Sequence, residues 1–559
     1  MRSAPVKPTD PRSSKPEPSP SRPRPDRSAP HAPRCTSLQG RLPSMASVQK
    51  APPTSPSPPA SRNDRRDDRL LLGLILGVCL LYGAGLGRID LWAPDEPRYG
   101  AIAEELRSWR HGASGLVLLH LNDSPYTQKP PLYFWLAAMF GAPFEHVGEA
   151  AARAPSAIFG VLCVALTALV GRVLLRNPTA ALIAAGLLAT SFRFAFTARR
   201  AQLDVLLTGF ELIAIASFVY LEFQRGGIER ARRHTAALSV LHGALGAAAL
   251  TKGPVGWIPL LVFLAYLCWE GRIRAFRAIA PFWAVGLSVG PLAVWILAAI
   301  VLAPDGFAEQ AIRENLIGRF FSGTSHARPL YYFAYQLPLD FLPWSLLLPL
   351  AIPVVWRSAR TLRQVPGRLQ PPPGAARFLI VWIAVPLLFF SLSAGKRGLY
   401  LLPIFPALAM VAVAAGMRAS PGTTLASPVI RKFAAALLLV GLLEAALFTA
   451  VLPLLDTEKS PRPIAEAAAA RAEAGEKIGV YGMSPLEGGI AYYSSRPVAS
   501  LRDESQLRAY LRDRGRLVIL RAAHLEELGE ELALVELASF RAGGRRLVLA
   551  TRLHIDPNR

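Results

Sequence analysis

The chain has 559 residues, 52% hydrophobic and only 18% charged, where a soluble protein carries roughly a quarter charged. Its apolar residues come in runs that reach the ~20 residues needed to cross ~30 Å of hydrocarbon, which excludes an ordinary soluble core. The formal charge of +23 would suggest nucleic acid in a soluble protein, but no nucleic-acid module is present. Lys and Arg concentrated in cytoplasmic loops account for it instead.

Residues 1–69 hold 16 prolines, with 14 Lys and Arg against 6 Asp and Glu, a net of +8. Such a segment buries too little apolar surface to fold and reads as a disordered basic cytoplasmic tail, rich in Pro and Ser. It is not read as a signal peptide, because no apolar stretch follows its first charges. Met45 is an alternative start. Cys35 lies in this tail, and Cys79, Cys163 and Cys268 lie in apolar segments, so neither a disulfide framework nor a CxxC metal pair is expected.

Eleven apolar segments follow, at 70–87, 151–174, 178–194, 203–222, 235–251, 255–269, 278–302, 335–356, 377–393, 398–417 and 430–452. Several are short or interrupted by proline, so the count ranges from 10 to 13. The fold class expected is an all-α polytopic membrane bundle over 70–453. The first external loop should add interfacial helices, and residues 454–559 a small external α/β domain. In that domain IGVYG (478–482) and RLVIL (516–520) read as strands and 503–513 as a helix. The basic stretches RNDRRDDR (62–69), QRGGIERARR (224–233), GRIRAFR (271–277), 357–377 and IRK (430–432) belong inside. Alternation then puts 88–150, 195–202, 252–254, 303–334, 394–397 and the C-terminal domain outside.

The first external loop is the most informative. LWAPDEPRYGAIAEEL (91–106) sets Asp95, Arg98 and Tyr99 three and four residues apart, on one helix face. The bland reading of Asp95, just after Pro94, is a helix cap. LNDSPYTQKPPLYFWL (121–136) carries Lys129 ahead of two prolines and the aromatics Tyr133, Phe134 and Trp135, which suit a membrane interface.

These two pieces resemble the bacterial aminoarabinose transferases of lipid A and the protein O-mannosyltransferases, both of the GT-C class of membrane glycosyltransferases. That family has an Asp-Glu-x-Arg-Tyr box soon after the first span and then a Lys-Pro-Pro box with aromatics. The resemblance runs over about 70–410. Arg200 and Asp204 in RRAQLDVLL match an Asp at the start of a span, and LTKGPVGWIPL (250–260) a Lys-Gly-Pro turn. ENLIGRF (314–320), His326, PLYYF (329–333) and DFLPWS (340–345) match a long external loop. SAGKRGLYLLPIFPALA (393–409) is similar to a Ser-x-x-Lys stretch. Arg397 and Gly398 depart from it, since family members often have Leu or Tyr after that Lys.

The topology puts Asp95, Lys129, Asp204, Lys252, Arg319, His326 and Lys396 on one face. Singly, such groups merely snorkel at span ends; seven from five loops suggest a site. The resemblance implies inverting transfer of a sugar from a polyprenyl-phosphate donor to a lipid, glycan or protein acceptor. Lys129, then Arg319 and Lys396, would meet the lipid phosphate as its charge grows. Asp95 would be the base, with Asp204 orienting acceptor or sugar. An acceptor that is already a phosphate needs no base, and Asp95 would then only position it. Glu96, Arg98, Tyr99, Lys252 and His326 would support. No Asp-x-Asp pair is present and no cofactor or metal is required, although a divalent cation near Asp95 and Glu96 is compatible. The implied place is the bacterial inner membrane, with the site facing the periplasm. The competing class is a transporter or flippase, which calls for inverted repeats and charged residues at mid-membrane. Only Glu211 and Glu444 lie in span interiors.

Overall fold

The structure, a computed structural model, describes residues 62–126, 128–303, 327–360, 371–418, 428–513 and 515–553. Helices dominate. In chain order the first are α1 (Arg62–Gly83), α2 (Asp95–Arg107), α3 (Leu132–Gly141), α4 (Glu149–Leu175), α5 (Pro178–Ala189), α6 (Phe192–Ala198), α7 (Leu203–Gln224), α8 (Thr235–Lys252) and α9 (Ile258–Trp269).

Among the described residues, six helical stretches are long and apolar enough to cross a membrane: Glu149–Leu175, Leu203–Gln224, Thr235–Trp269, Phe282–Leu302, Ala375–Leu392 and Pro428–Lys459. The pair α5 and α6, bent by 66°, makes a seventh if it is one span. This is a multi-pass membrane protein, but the count falls short of the eleven expected, for local reasons. Segments 235–251 and 255–269 count as one stretch, Thr235–Trp269, with a 3-10 turn at Gly253–Trp257. Segment 335–356 breaks into Tyr332–Asp340, Trp344–Leu347 and Leu348–Arg360, with Pro338 and Pro353 inside helices. Proline removes a helical donor and crowds the preceding turn, so such runs do not stay straight. Segment 398–417 likewise opens as a 3-10 turn, Gly398–Ile404, and only then becomes the helix Phe405–Arg418.

Local signals set the boundaries. α4 ends at Arg176 in the left-handed conformation. Asn177 then caps α5, its Oδ1 accepting from Ala180 N at 3.0 Å, with Pro178 in the first turn. Proline is well placed there, because that turn has no partner for its missing N–H. Arg199 closes the end of α1 by donating to the carbonyls of Leu81 (2.6 Å) and Ala84 (2.7 Å), which the helix itself leaves unpaired.

The loop between α1 and α4 is a compact layer. α2 and α3 meet through Tyr99, Tyr133 and Phe134, all buried, each such burial stabilising by about 1.5–3 kcal/mol. Between them lies the short hairpin of β1 (His120–Leu121) and β2 (Ser124–Pro125). α2 does not lie on an open interface: its buried residues run almost all the way round it, because the C-terminal residues cover its other side.

Those residues form a five-stranded sheet of order β4-β3-β5-β7-β6, with β3 Ile478–Tyr481, β4 Val498–Leu501, β5 Leu517–Arg521, β6 Leu534–Ala542 and β7 Arg545–Arg552. β3 runs parallel to β4 and β5, while β5, β7 and β6 are antiparallel. The β6–β7 turn has positive φ at both Gly543 and Gly544, as a two-residue hairpin turn demands. The helix Ser484–Ser494 packs on α2 through glycine: a Cβ at Gly488 would come within 2.8 Å of Arg98 Cα. Asn122 pairs with the backbone of Val498, donating to its carbonyl at 2.5 Å and accepting from its N–H at 2.7 Å. Asp456 accepts from Trp92 Nε1 at 2.6 Å and from Asp90 N at 3.1 Å.

Candidate active site

The first turn of α2 presents Asp95 and Glu96, both buried. Helix N-termini favour carboxylates. Neither side chain caps the helix, however: the cap position is Pro94 and no side-chain cap bond is made. Each carboxylate is instead paired with arginine, Glu96 with two from distant segments and Asp95 with one distant and one from its own helix.

Glu96 is sealed. Its Oε1 accepts from Arg153 Nε at 2.9 Å and from Ala201 N at 2.7 Å. Its Oε2 takes Arg200 Nη2 at 2.9 Å and Trp92 N at 3.1 Å. Arg153 also donates to the carbonyls of Leu86, Ile89 and Asp90 at 2.6–2.8 Å. Arg200 stacks over Trp92, 4.8 Å from its centroid. Burial works to raise the Glu96 carboxyl, but Arg153 and Arg200 outweigh it and hold it below the usual range.

Asp95 is bracketed by Arg98, one turn on, and by Arg397, whose Nη2 lies 3.1 Å from Oδ2. Burial again works to raise its carboxyl, and Arg397 and Arg98 overcome this, helped by Gln202. Arg98 and Arg397 are part-exposed, at 22% and 35% of their side chains, against 16% for Arg200 and 3% for Arg153 around Glu96. Arg98 Nη1 also reaches Gln128 Oε1 at 3.5 Å, which brings the Lys129 segment beside the Asp95 pair. The two boxes of the first loop therefore adjoin in space.

Asp204 opens α7, and Lys252 Nζ lies 2.5 Å from its Oδ1. The same ammonium sits 4.5 Å from the centre of the Tyr400 ring, where the ring face attracts a cation. Tyr400 is three residues beyond Arg397, so one turn of chain serves both carboxylates. Glu211, two helical turns along α7, is buried with no partner for Oε1.

Asp95, Glu96, Arg98, Tyr99, Asp204 and Lys252 are thus held together, with Lys129 alongside. Arg319 and His326 lie outside the described residues. Lys396 is placed differently from the expectation. It is buried and donates to the carbonyls of Ser393 (2.5 Å) and Arg328 (3.0 Å), and its neighbour Arg397 is the residue that faces Asp95. The departure at Gly398 has a steric reason: a Cβ there would sit 2.1 Å from Asp340 Oδ2. Asp340 is itself held by Arg193 at 2.7 Å. Sequence reasoning did not select Arg153, Gln202, Arg397 or Tyr400. For Arg397 the signal was present, in an added charge directly after a matched lysine. For Arg153, inside an Ala-rich helix start, the signal was a single charge in an apolar segment.

Comparison with known proteins follows the same outline. The family described as dolichyl-phosphate-mannose-protein mannosyltransferase matches residues 70–302. An undecaprenyl phosphate-alpha-4-amino-4-deoxy-L-arabinose arabinosyl transferase of Pseudomonas paraeruginosa is 32% identical over 60% of this chain and 58% of its own. A second, from Pseudomonas fluorescens, is 30% identical over 66% of this chain and 60% of its own. The chain thus spans about three-fifths of the length of these relatives. Among solved structures, ArnT of Cupriavidus metallidurans bound to undecaprenyl phosphate matches with a TM-score of 0.67 at 20% identity, covering 86% of this chain and 97% of that one. The oligosaccharyltransferase AglB of Archaeoglobus fulgidus, in complex with an inhibitory peptide and a dolichol-phosphate, matches with a TM-score of 0.56 at 12% identity over 83% and 70%. The solved structures share the fold of this chain, and the sequence resemblance to mannosyl- and arabinosyltransferases covers part of it, residues 70–302 in the family match.

Proposed function

We propose that this chain is an inverting glycosyltransferase that moves a sugar from a polyprenyl-phosphate donor to a lipid, glycan or protein acceptor. One observation carries the reading. Asp95 is held ionised between two part-exposed arginines, Arg98 and Arg397, with the Asp204–Lys252 pair and the Lys129 segment beside it. Each guanidinium has five donors, and one carboxylate cannot occupy all of them. The spare N–H groups and Lys129 form a cationic rim suited to a lipid phosphate whose charge grows as the sugar leaves. Arg397 takes the place in this rim that Lys396 was expected to fill, and Arg319 remains a further cation for the donor.

Asp95 accepts charge rather than a proton. A carboxyl held below the usual range is a weak base, and proton transfer is most efficient with a pKa near the working pH. Asp95 therefore orients its arginines and, through them, the donor. This suits an acceptor oxygen that is already ionised, such as a phosphate, more than a neutral hydroxyl. Asp204 and Lys252 would orient the acceptor or the sugar. No resident metal is needed at Asp95 and Glu96, because guanidinium and amide donors already fill their oxygens.

The protein would sit in a bacterial inner membrane with this site facing the periplasm. Cysteine placed at Ser124 should then react with an impermeant thiol reagent in intact cells, and one at Gly227 should not; the reverse labelling defeats the orientation. The activity itself is tested by mass spectrometry of membrane lipids and glycans from a deletion strain. The expected result is loss of one glycosyl addition and a build-up of polyprenyl-phosphate sugar. Unchanged glycolipids, glycans and glycoproteins would remove the proposal.

A further inference from the structure

At the far end of α2 from Asp95, three potential ligand side chains converge from three stretches of chain. Glu105 stands in the last turns of α2, His111 in the turn that follows, and Asp123 at the tip of the β1–β2 hairpin. Glu105 Oε2 is 3.1 Å from His111 Nε2, and His111 Nε2 is 3.8 Å from Asp123 Oδ1. All three ligand atoms lie within 4.8 Å of one another. The two measured edges bracket the ~3.3–3.4 Å separation of neighbouring ligands in a tetrahedral site with bonds of ~2.0–2.1 Å.

The set is more than a patch of acids, because an imidazole nitrogen sits between the carboxylates. A second imidazole, His120, stacks flat on His111 with ring centres 3.7 Å apart. His120 Nδ1 is buried with no hydrogen-bond partner. Glu105 is also fixed from behind, its Oε1 accepting from Asn122 N at 2.6 Å. That bond orients the carboxylate as outer bonds orient metal ligands elsewhere. Asp123 is exposed, which leaves a route in from solvent.

We propose that Glu105, His111 and Asp123 form a divalent-cation site, of a kind best suited to Zn²⁺. One nitrogen and two oxygens fit a borderline cation better than Ca²⁺ or Mg²⁺, which favour all-oxygen shells. The bound ion would pin the end of α2 to the β1–β2 hairpin and hence to Val498, which Asn122 holds. Its competitor is Arg110, which grips Asp123 through Nε at 2.8 Å and Nη2 at 2.9 Å. Removing that guanidinium frees both oxygens and removes a positive charge from beside the ion.

The test is Zn²⁺ binding to full-length, tag-free protein in detergent, measured by competition with a chromophoric chelator. Wild type should bind one Zn²⁺ per chain. His111→Ala and Asp123→Asn should each weaken binding at least ~10-fold, the usual scale for disturbing ligands or their supports, while Arg110→Ala should tighten it. Asp123 is exposed, so Asp123→Asn serves as the readout if His111→Ala does not fold. Absence of stoichiometric binding at micromolar Zn²⁺, equal affinity in the ligand variants, or weaker binding in Arg110→Ala would each overturn the site.

Discussion

Two ion-pair networks share the first turn of α2 and differ in their access to water. Around Glu96 the side chains are more closed off, Glu96 at 0%, Arg153 at 3% and Arg200 at 16% exposure. Around Asp95 the carboxylate is buried but Arg98 and Arg397 remain part-exposed. A network closed in this way, with Arg153 spending its donors on Glu96 and three backbone carbonyls, chiefly holds structure. A network open on one side keeps donors in reserve, so it can receive an anion. Neighbouring carboxylates on one helix turn thus have separate jobs, decided by which segments pack over them.

The largest effect should come from breaking the sealed side. Glu96→Gln leaves Arg153 and Arg200 short of their shared countercharge in a buried setting, a change that typically costs about 3–5 kcal/mol. The melting temperature in detergent should fall sharply, or folded protein should be lost. A variant that melts like wild type would mean the two networks are not different in kind.

The open side should behave in the opposite way. Asp95→Asn keeps size and one of the two accepting oxygens, and the helix loses no cap because Asp95 does not provide one. Transfer should fall by ~10²-fold or more, the scale for removing one preorganised electrostatic partner, with melting nearly unchanged. Near-normal turnover would shift the central role to Asp204.

A smaller effect is expected at Lys129, which precedes the stiff Pro130-Pro131 pair. Lys129→Ala should weaken donor binding by about tenfold, read by titration with a polyprenyl-phosphate sugar or by KM, because Arg98 and Arg397 would still face the phosphate. Unchanged affinity would assign the phosphate to those arginines alone.

The smallest effect is on pH dependence. Both carboxyls are held below their ordinary values of 3.8 and 4.5. A depressed folded-state pKa gives stability that is present above the unfolded value and lost as pH falls through the folded one. Between about pH 5 and 7, then, neither melting nor kcat/KM should show a limb owed to Asp95 or Glu96. An acid limb near pH 6 that vanishes in Asp95→Asn would instead make Asp95 the general base.

Much of this was legible in the chain itself. Long apolar runs with few charges specify membrane helices, because hydrocarbon tolerates little else. The boxes around Asp95 and Lys129 were readable as local patterns, as were β3, β5 and the helix Glu504–Arg512. The strands β6 and β7 were not singled out. The span count was less legible, since a proline or glycine inside an apolar run leaves open whether the helix breaks, bends or turns back.

Sequence alone determined the class of fold, the helical first loop and the residue types offered to the site. Only the tertiary structure decided which carboxylate is sealed and which is open. Glu96 meets Arg153 and Arg200, and Asp95 meets Arg397 from 302 positions along the chain. It also decided that Lys396 turns to backbone carbonyls while Arg397 faces Asp95. The reason is that ion pairing depends on distance and burial, which distant segments set by packing together; spacing along the chain fixes only which side chains share a helix face.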